Sequence, residues 1–221
     1  MAQIGSFALL LALGFSAYSV VAGILAISSK RAFAVPLGET ARRAGIVTFA
    51  LVFLAALILV VAAFENDFSI AYVFHHSNRD LPAPYKFATL WSGQEGSLLF
   101  WALLLSGYGL VVRLRYKTDI RLFACASVAI AAVQVFFLLL LTFAARPFAV
   151  MQGSLPADGN GLNPLLQYPE MVIHPPMLYL GYVGFTVPFA RSPAWTKIPQ
   201  WQSAGAQEFE RRTRAENSVA C

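Results

Sequence analysis

Residues 169–185, PEMVIHPPMLYLGYVGF, place a single histidine, His174, at the head of an apolar run long enough to enter a bilayer. Pro175 and Pro176 are tolerated in the first turn of a helix, where their missing N–H groups have no partner to lose, so the pair predicts a helix start. A neutral imidazole at that depth is costly unless it finds a hydrogen bond or a metal. Two roles are open to it: a satisfied structural histidine, or a ligand of iron. Tyr179 and Tyr182 follow, suited to the membrane interface or to a flat apolar ligand, and Gly181 and Gly184 give a smooth face for helix contact.

A second constellation lies upstream, in HHSNRDLPAPYKFATLWSGQEGSLLFW, residues 75–101. Asn78, Asp80, Pro82 and Pro84 predict a turn-rich loop. WSGQEGS then leads into an apolar run, with Trp91, Gln94, Glu95 and Gly96 at the membrane edge. One reading is an interfacial belt, with Trp91 and Trp101 at headgroup depth and a carboxylate favoured at a helix N-terminus. The other is a polar-ligand or docking surface, because ionisable groups at such depth usually carry a task. His75 and His76 read as solvated loop residues without the further ligands a metal would need.

These residues require a membrane to position them. The chain has 221 residues, 58% hydrophobic and 12% charged, with a mean hydropathy of +0.63, more apolar surface than a soluble core of this size can bury. Apolar runs at about 4–27, 44–64, 97–112, 122–145 and 171–190 predict an all-α, polytopic transmembrane helical bundle of about five spans, each near the length that crosses roughly 30 Å of hydrocarbon. The first run lacks the charged start and small-residue cleavage site of a signal peptide, which predicts its retention.

The net charge of +5 alternates with the spans. Lys30, Arg31, Arg42 and Arg43 lie in one connection and Arg113, Arg115, Lys117 and Arg121 in another, whereas 65–96 and 143–170 are neutral to acidic. That pattern is a topology signal rather than a nucleic-acid footprint, and it predicts an extracytoplasmic N-terminus with both long loops on the same side. Cys125 and Cys221 form neither a disulfide framework nor a CxxC pair. After Ala190 the composition turns polar, with no sustained period, so the chain divides into a membrane domain, 1–190, and a cytoplasmic tail, 191–221, predicted to be disordered apart from a short helix over 204–215.

The two motifs, HSNRDLPAPYKFATLWSGQEGSLLFW and NPLLQYPEMVIHPPMLYLGYVGF, resemble the N-terminal part of the haem lyase component of cytochrome c maturation, the CcmF/NrfE group within the haem-handling membrane family that includes CcsA. The resemblance runs to about Ala190. It implies a bacterial inner-membrane protein that binds haem b and assists its covalent attachment to apocytochrome c, working with other maturation proteins including the haem chaperone. It also implies that His174 is an axial ligand of a membrane-embedded b-type haem, and it transfers no established role to Trp91, Gln94, Glu95 or Gly96. The family's tryptophan-rich motif and second membrane histidine do not occur in these 221 residues. The reading is therefore a partial haem site, with the tail derived from a frameshift or premature end. The competing readings are a non-functional scaffold fragment and a transporter subunit, the latter disfavoured because the spans show no charged pair or broken-helix repeat.

Overall fold

The computed structural model describes residues 1–29, 31–115, 120–153 and 156–190; the tail expected at 191–221, with its short helix, lies outside them. Helices α1 (Ala2–Ser28), α2 (Arg31–Glu65), α3 (Ala71–His76), α4 (Ala83–Ser92), α5 (Gln94–Arg115), α6 (Ile120–Leu139), α7 (Pro169–Gly184) and α8 (Thr186–Ala190) follow in order. A π-helical turn, Leu140–Ala145, extends α6, and a short 3-10 turn, Pro164–Leu166, precedes α7. The chain is an all-α membrane bundle. Four described helices are long and apolar enough to cross a bilayer: Ala2–Ser28, Phe33–Glu65, Gln94–Leu114 and Cys125–Ala145.

Small residues set the packing of α1. Its buried positions include Gly5, Ala8, Ala12, Ser16, Ser19, Gly23 and Ala26, spaced three and four apart so that they form one stripe. In lipid, helices associate through close van der Waals contact, and a stripe of this kind lets backbones approach. A Cβ on Gly5 would enter the Phe148 ring, and one on Gly23 would meet Val128. Through this stripe α1 packs along α2 and α6, while α2 and α6 both pack on α5. Leu9, Val52, Leu59, Leu99 and Leu138 fill the centre of the main core.

At one end of the bundle the two long loops are joined. Ile70 and Val150 form an isolated antiparallel bridge, with Ala71 N–H donating to the Ala149 carbonyl at 2.9 Å and Met151 N–H to the Ser69 carbonyl at 2.9 Å. Further on, Asn160 N–H donates to Phe74 O at 2.8 Å and Arg79 N–H to Asp158 Oδ1 at 3.0 Å. A left-handed residue starts each loop: Asn66 follows α2 at φ 57° and Arg146 ends the π turn at φ 49°.

Three local features differ from the sequence reading. The stretch 75–90 expected as a turn-rich loop contains α3 and α4, helices too short to show a clear period. The connection at 28–43 is mostly absorbed into α2, with Glu39 held by Arg42 at 2.9 Å and by Arg43 at 3.1 Å. Finally, the fifth run is the 16-residue α7 followed by the 5-residue α8.

Candidate functional site

Pro169, not the Pro175–Pro176 pair, begins α7. Tyr168 is its N-cap in extended conformation, and both later prolines lie inside the helix. His174 therefore sits in the second turn. An internal proline leaves the carbonyl four residues earlier without its helical donor; for Pro175 that carbonyl belongs to Met171. The Trp91 indole fills the gap, its Nε1–H donating to Met171 O at 3.0 Å. A helix interrupted by two prolines is thus held by a side chain from α4.

The same side of α7 is docked along its length. Tyr179 packs edge-on against Phe100 and Trp101, with ring centroids 5.8 and 5.7 Å away, and its hydroxyl donates to Ser97 Oγ at 3.3 Å. Tyr108 Oη–H donates to Leu180 O at 2.8 Å. Trp91 is only 4% exposed, packed between Phe87 and Phe100, so it is a core residue rather than a headgroup-depth anchor.

The other face of α7 is open. His174 and Gly181 are exposed, with Met177 and Leu178 between them and Tyr182, 62% exposed, beyond. At 3.6 residues per turn His174, Met177, Leu178 and Gly181 share one side, and Tyr182 lies at its edge, toward Tyr179 three residues earlier. A Cβ on Gly181 would meet nothing within 4 Å. The structure separates the two tyrosines by exposure: Tyr182 borders the His174 face and Tyr179, half-buried, fixes the helix to α5. Among the described residues, no hydrogen bond to the His174 imidazole appears, and no cluster of three or more His, Cys, Asp or Glu side chains could hold a metal ion.

Beneath α7, the WSGQEGS segment turns sharply between α4 and α5. Its organiser is Tyr72 on α3, which the sequence reading did not single out; the Tyr72–His76 spacing of one helical turn was the available signal. Tyr72 Oη–H donates to Thr89 O at 2.5 Å and accepts from Gly93 N–H at 3.1 Å. Burial pushes the phenol well above its ordinary value, keeping it protonated as a donor. His76 stacks on Tyr72 with centroids 4.3 Å apart, and its Nδ1 lies 2.9 Å from Tyr72 O.

The glycines of the motif leave room for these rings. A Cβ on Gly93 would run into the His76 ring, and one on Gly96 into the Tyr72 hydroxyl and the Leu90 carbonyl. Gln94 is exposed and Glu95 half-buried, both in the first turn of α5, where a carboxylate is favoured by the helix dipole. His75 is exposed, its Nδ1 lying 3.4 Å from Asn160 Nδ2.

A family model described as "Cytochrome C assembly protein" matches residues 91–216. The chain is 38% identical over 189 residues to the cytochrome c-type biogenesis protein CcmF of Pseudomonas fluorescens, covering 85% of this chain and 28% of that protein. It is 43% identical over 137 residues to CcmF of Escherichia coli K12, covering 62% and 21%. A solved structure, "Cytochrome c Heme Lyase CcmF", superposes with a TM-score of 0.70 at 29% identity, covering 86% of this chain and 29% of the solved chain. The chain thus spans less than a third of the length of these relatives.

Proposed function

The chain belongs to the cytochrome c assembly protein family, and from that membership we propose that it contributes one wall of a haem site in cytochrome c maturation. The proposed setting is the bacterial inner membrane, with the joined loops and the start of α7 facing the periplasm. Its proposed partners are apocytochrome c and the other maturation proteins, including the haem chaperone. The activity itself, haem attachment to apocytochrome c, is proposed for the whole protein, of which this chain matches one part.

The observation that carries the reading is the open face of α7. His174 offers an imidazole nitrogen, and Met177, Leu178, Gly181 and Tyr182 continue beside it as an apolar strip with a gap at Gly181. An imidazole beside an apolar, glycine-notched surface is a donor that would suit haem iron, with apolar side chains around it that would take up the porphyrin. When bound, haem supplies the vinyl groups that become joined to cysteine thiols. The residues of this chain hold and orient. His174 would hold the iron through its imidazole, Tyr182 and Met177 would exclude water from that side, and Trp91 with Tyr179 keeps α7 seated. A second ligand for the iron and a facing wall are not among the described residues.

Haem titration of the purified membrane protein tests this. The unmodified chain should give an imidazole-type haem spectrum that His174→Gly loses and that added imidazole restores. A spectrum indifferent to His174→Gly would overturn the assignment.

A further inference from the structure

Far from the loops, four helices enclose a polar cluster. Ser16 of α1, Gly45 and Thr48 of α2, Ser106 and Arg113 of α5, and Gln134 of α6 line a cavity of about 10 Å³. Arg113 is 5% exposed and Gln134 3%. Arg113 turns inward along its own helix. A Cβ on Gly45 would occupy the guanidinium's place, and one on Gly109, a turn earlier on α5, would lie 2.6 Å from its Nη1. The two glycines make room for a cation inside the bundle.

Among the described residues no ion pair neutralises that cation. The ion pairs among the described residues join Glu39 to Arg42 and Arg43. Arg113 Nε and both amide atoms of Gln134 are buried with no hydrogen-bond partner among the described residues. The neighbouring hydroxyls have their hydrogens committed: Ser16 donates to Ala131 O at 3.2 Å, Thr48 to Ala44 O at 3.0 Å and Ser106 to Leu103 O at 2.9 Å. Their oxygens therefore present lone pairs to the cavity. Donors and acceptors face one small space without meeting each other, and leaving them so is costly.

We propose that this cavity is an internal hydration site, in which one water molecule links Arg113 to Gln134 and holds the guanidinium charge inside the bundle. The volume decides the ligand. One water needs roughly 10–15 Å³ of such space, whereas a carboxylate or phosphate needs several times more. Water is donor and acceptor at once, so a single molecule accepts from Arg113 Nε–H while donating to Gln134 Oε1 and one hydroxyl oxygen. The site ties α1, α2, α5 and α6 together through a hydrated cation where an apolar core would leave the charge bare.

Radiolytic hydroxyl-radical labelling of the full chain in lipid nanodiscs reads bound water directly. Ile130, in the cavity lining, should be oxidised above Leu139, an aliphatic side chain on the same helix that is 44% exposed on the outside of the bundle. Gln134→Leu should lower that labelling several-fold while far-ultraviolet circular dichroism is unchanged. If Gln134→Leu fails to assemble, Ser16→Val fills the cavity from α1 and serves the same comparison. Labelling at Ile130 no higher than at Leu139, or labelling at Ile130 that survives in a folded Gln134→Leu or Ser16→Val chain, would overturn the proposal.

Discussion

The Trp91 indole N–H donates at 3.0 Å to the Met171 carbonyl, the acceptor that Pro175 leaves without a helical donor. A residue at the end of α4 thereby completes the first turns of α7 and sets the position of His174, three residues beyond Met171. The two sequence motifs, separate in the chain, are one structural unit.

Trp91→Phe keeps the aromatic packing against Phe87 and Phe100 but removes the donor. Losing a hydrogen bond to this part-buried acceptor costs about 0.5–1.5 kcal/mol. The expected outcome is a lower melting temperature and faster amide exchange confined to 171–178, with weakened haem binding because His174 loses its support. Exchange in α7 identical to that of the parent chain would refute the role given to Trp91.

The two glycines Gly96 and Gly181 should respond in opposite ways to the same change. Gly96→Ala forces a methyl group against the Leu90 carbonyl, a backbone atom that cannot swing aside, and overpacking of this kind costs about 1–3 kcal/mol. Gly181→Ala meets open space and gains helix propensity of about 0.8–1 kcal/mol. Thermal unfolding in nanodiscs distinguishes them, and Gly181→Ala should still lower haem affinity by crowding the α7 face.

Tyr72 gives a pH signature. Its phenol is raised by burial, whereas an unfolded tyrosine loses its proton near ~10. The folded state therefore binds the proton more tightly, and this contribution to stability is complete below ~10 and is lost as pH climbs from there toward the folded value. Tyrosinate absorbance should show one late-titrating phase that Tyr72→Phe abolishes. The same variant leaves Gly93 N–H without its acceptor and Thr89 O with Ser92 Oγ–H as its remaining side-chain donor, and should lower the melting temperature.

Within α7, the two tyrosines divide stability from binding. Tyr179→Ala removes contacts to Phe100 and Trp101 and should unfold more readily, by about 0.5–3 kcal/mol for a partly buried ring. Tyr182→Ala, on the open face, should leave unfolding nearly unchanged and weaken haem retention several-fold. Equal effects on both measurements would contradict the two-sided description of the helix.

Much of the architecture was legible in residues alone. The apolar runs and the alternation of Lys30–Arg43 and Arg113–Arg121 with the acidic loops follow from bilayer physics acting on composition. The paired motifs pointed to the α4–α5 turn and to α7. What stayed hidden is tertiary. Pro175 and Pro176 looked like a helix start because the sequence does not show that Trp91 repairs the interrupted ladder. Trp91 read as an interfacial residue because burial by α7 depends on a segment eighty positions away. Arg113 read as a topology marker because only the converging glycines, Gly45 and Gly109, turn it inward.

The bridge between Ile70 and Val150 has a mechanical consequence. Two backbone hydrogen bonds weld the segment after α2 to the segment after α6, so the polar end of the bundle is a stiffened plate instead of two independent tethers. Displacing one segment drags the exits of both long helices with it, and whatever docks on that end meets a platform that tilts as a unit.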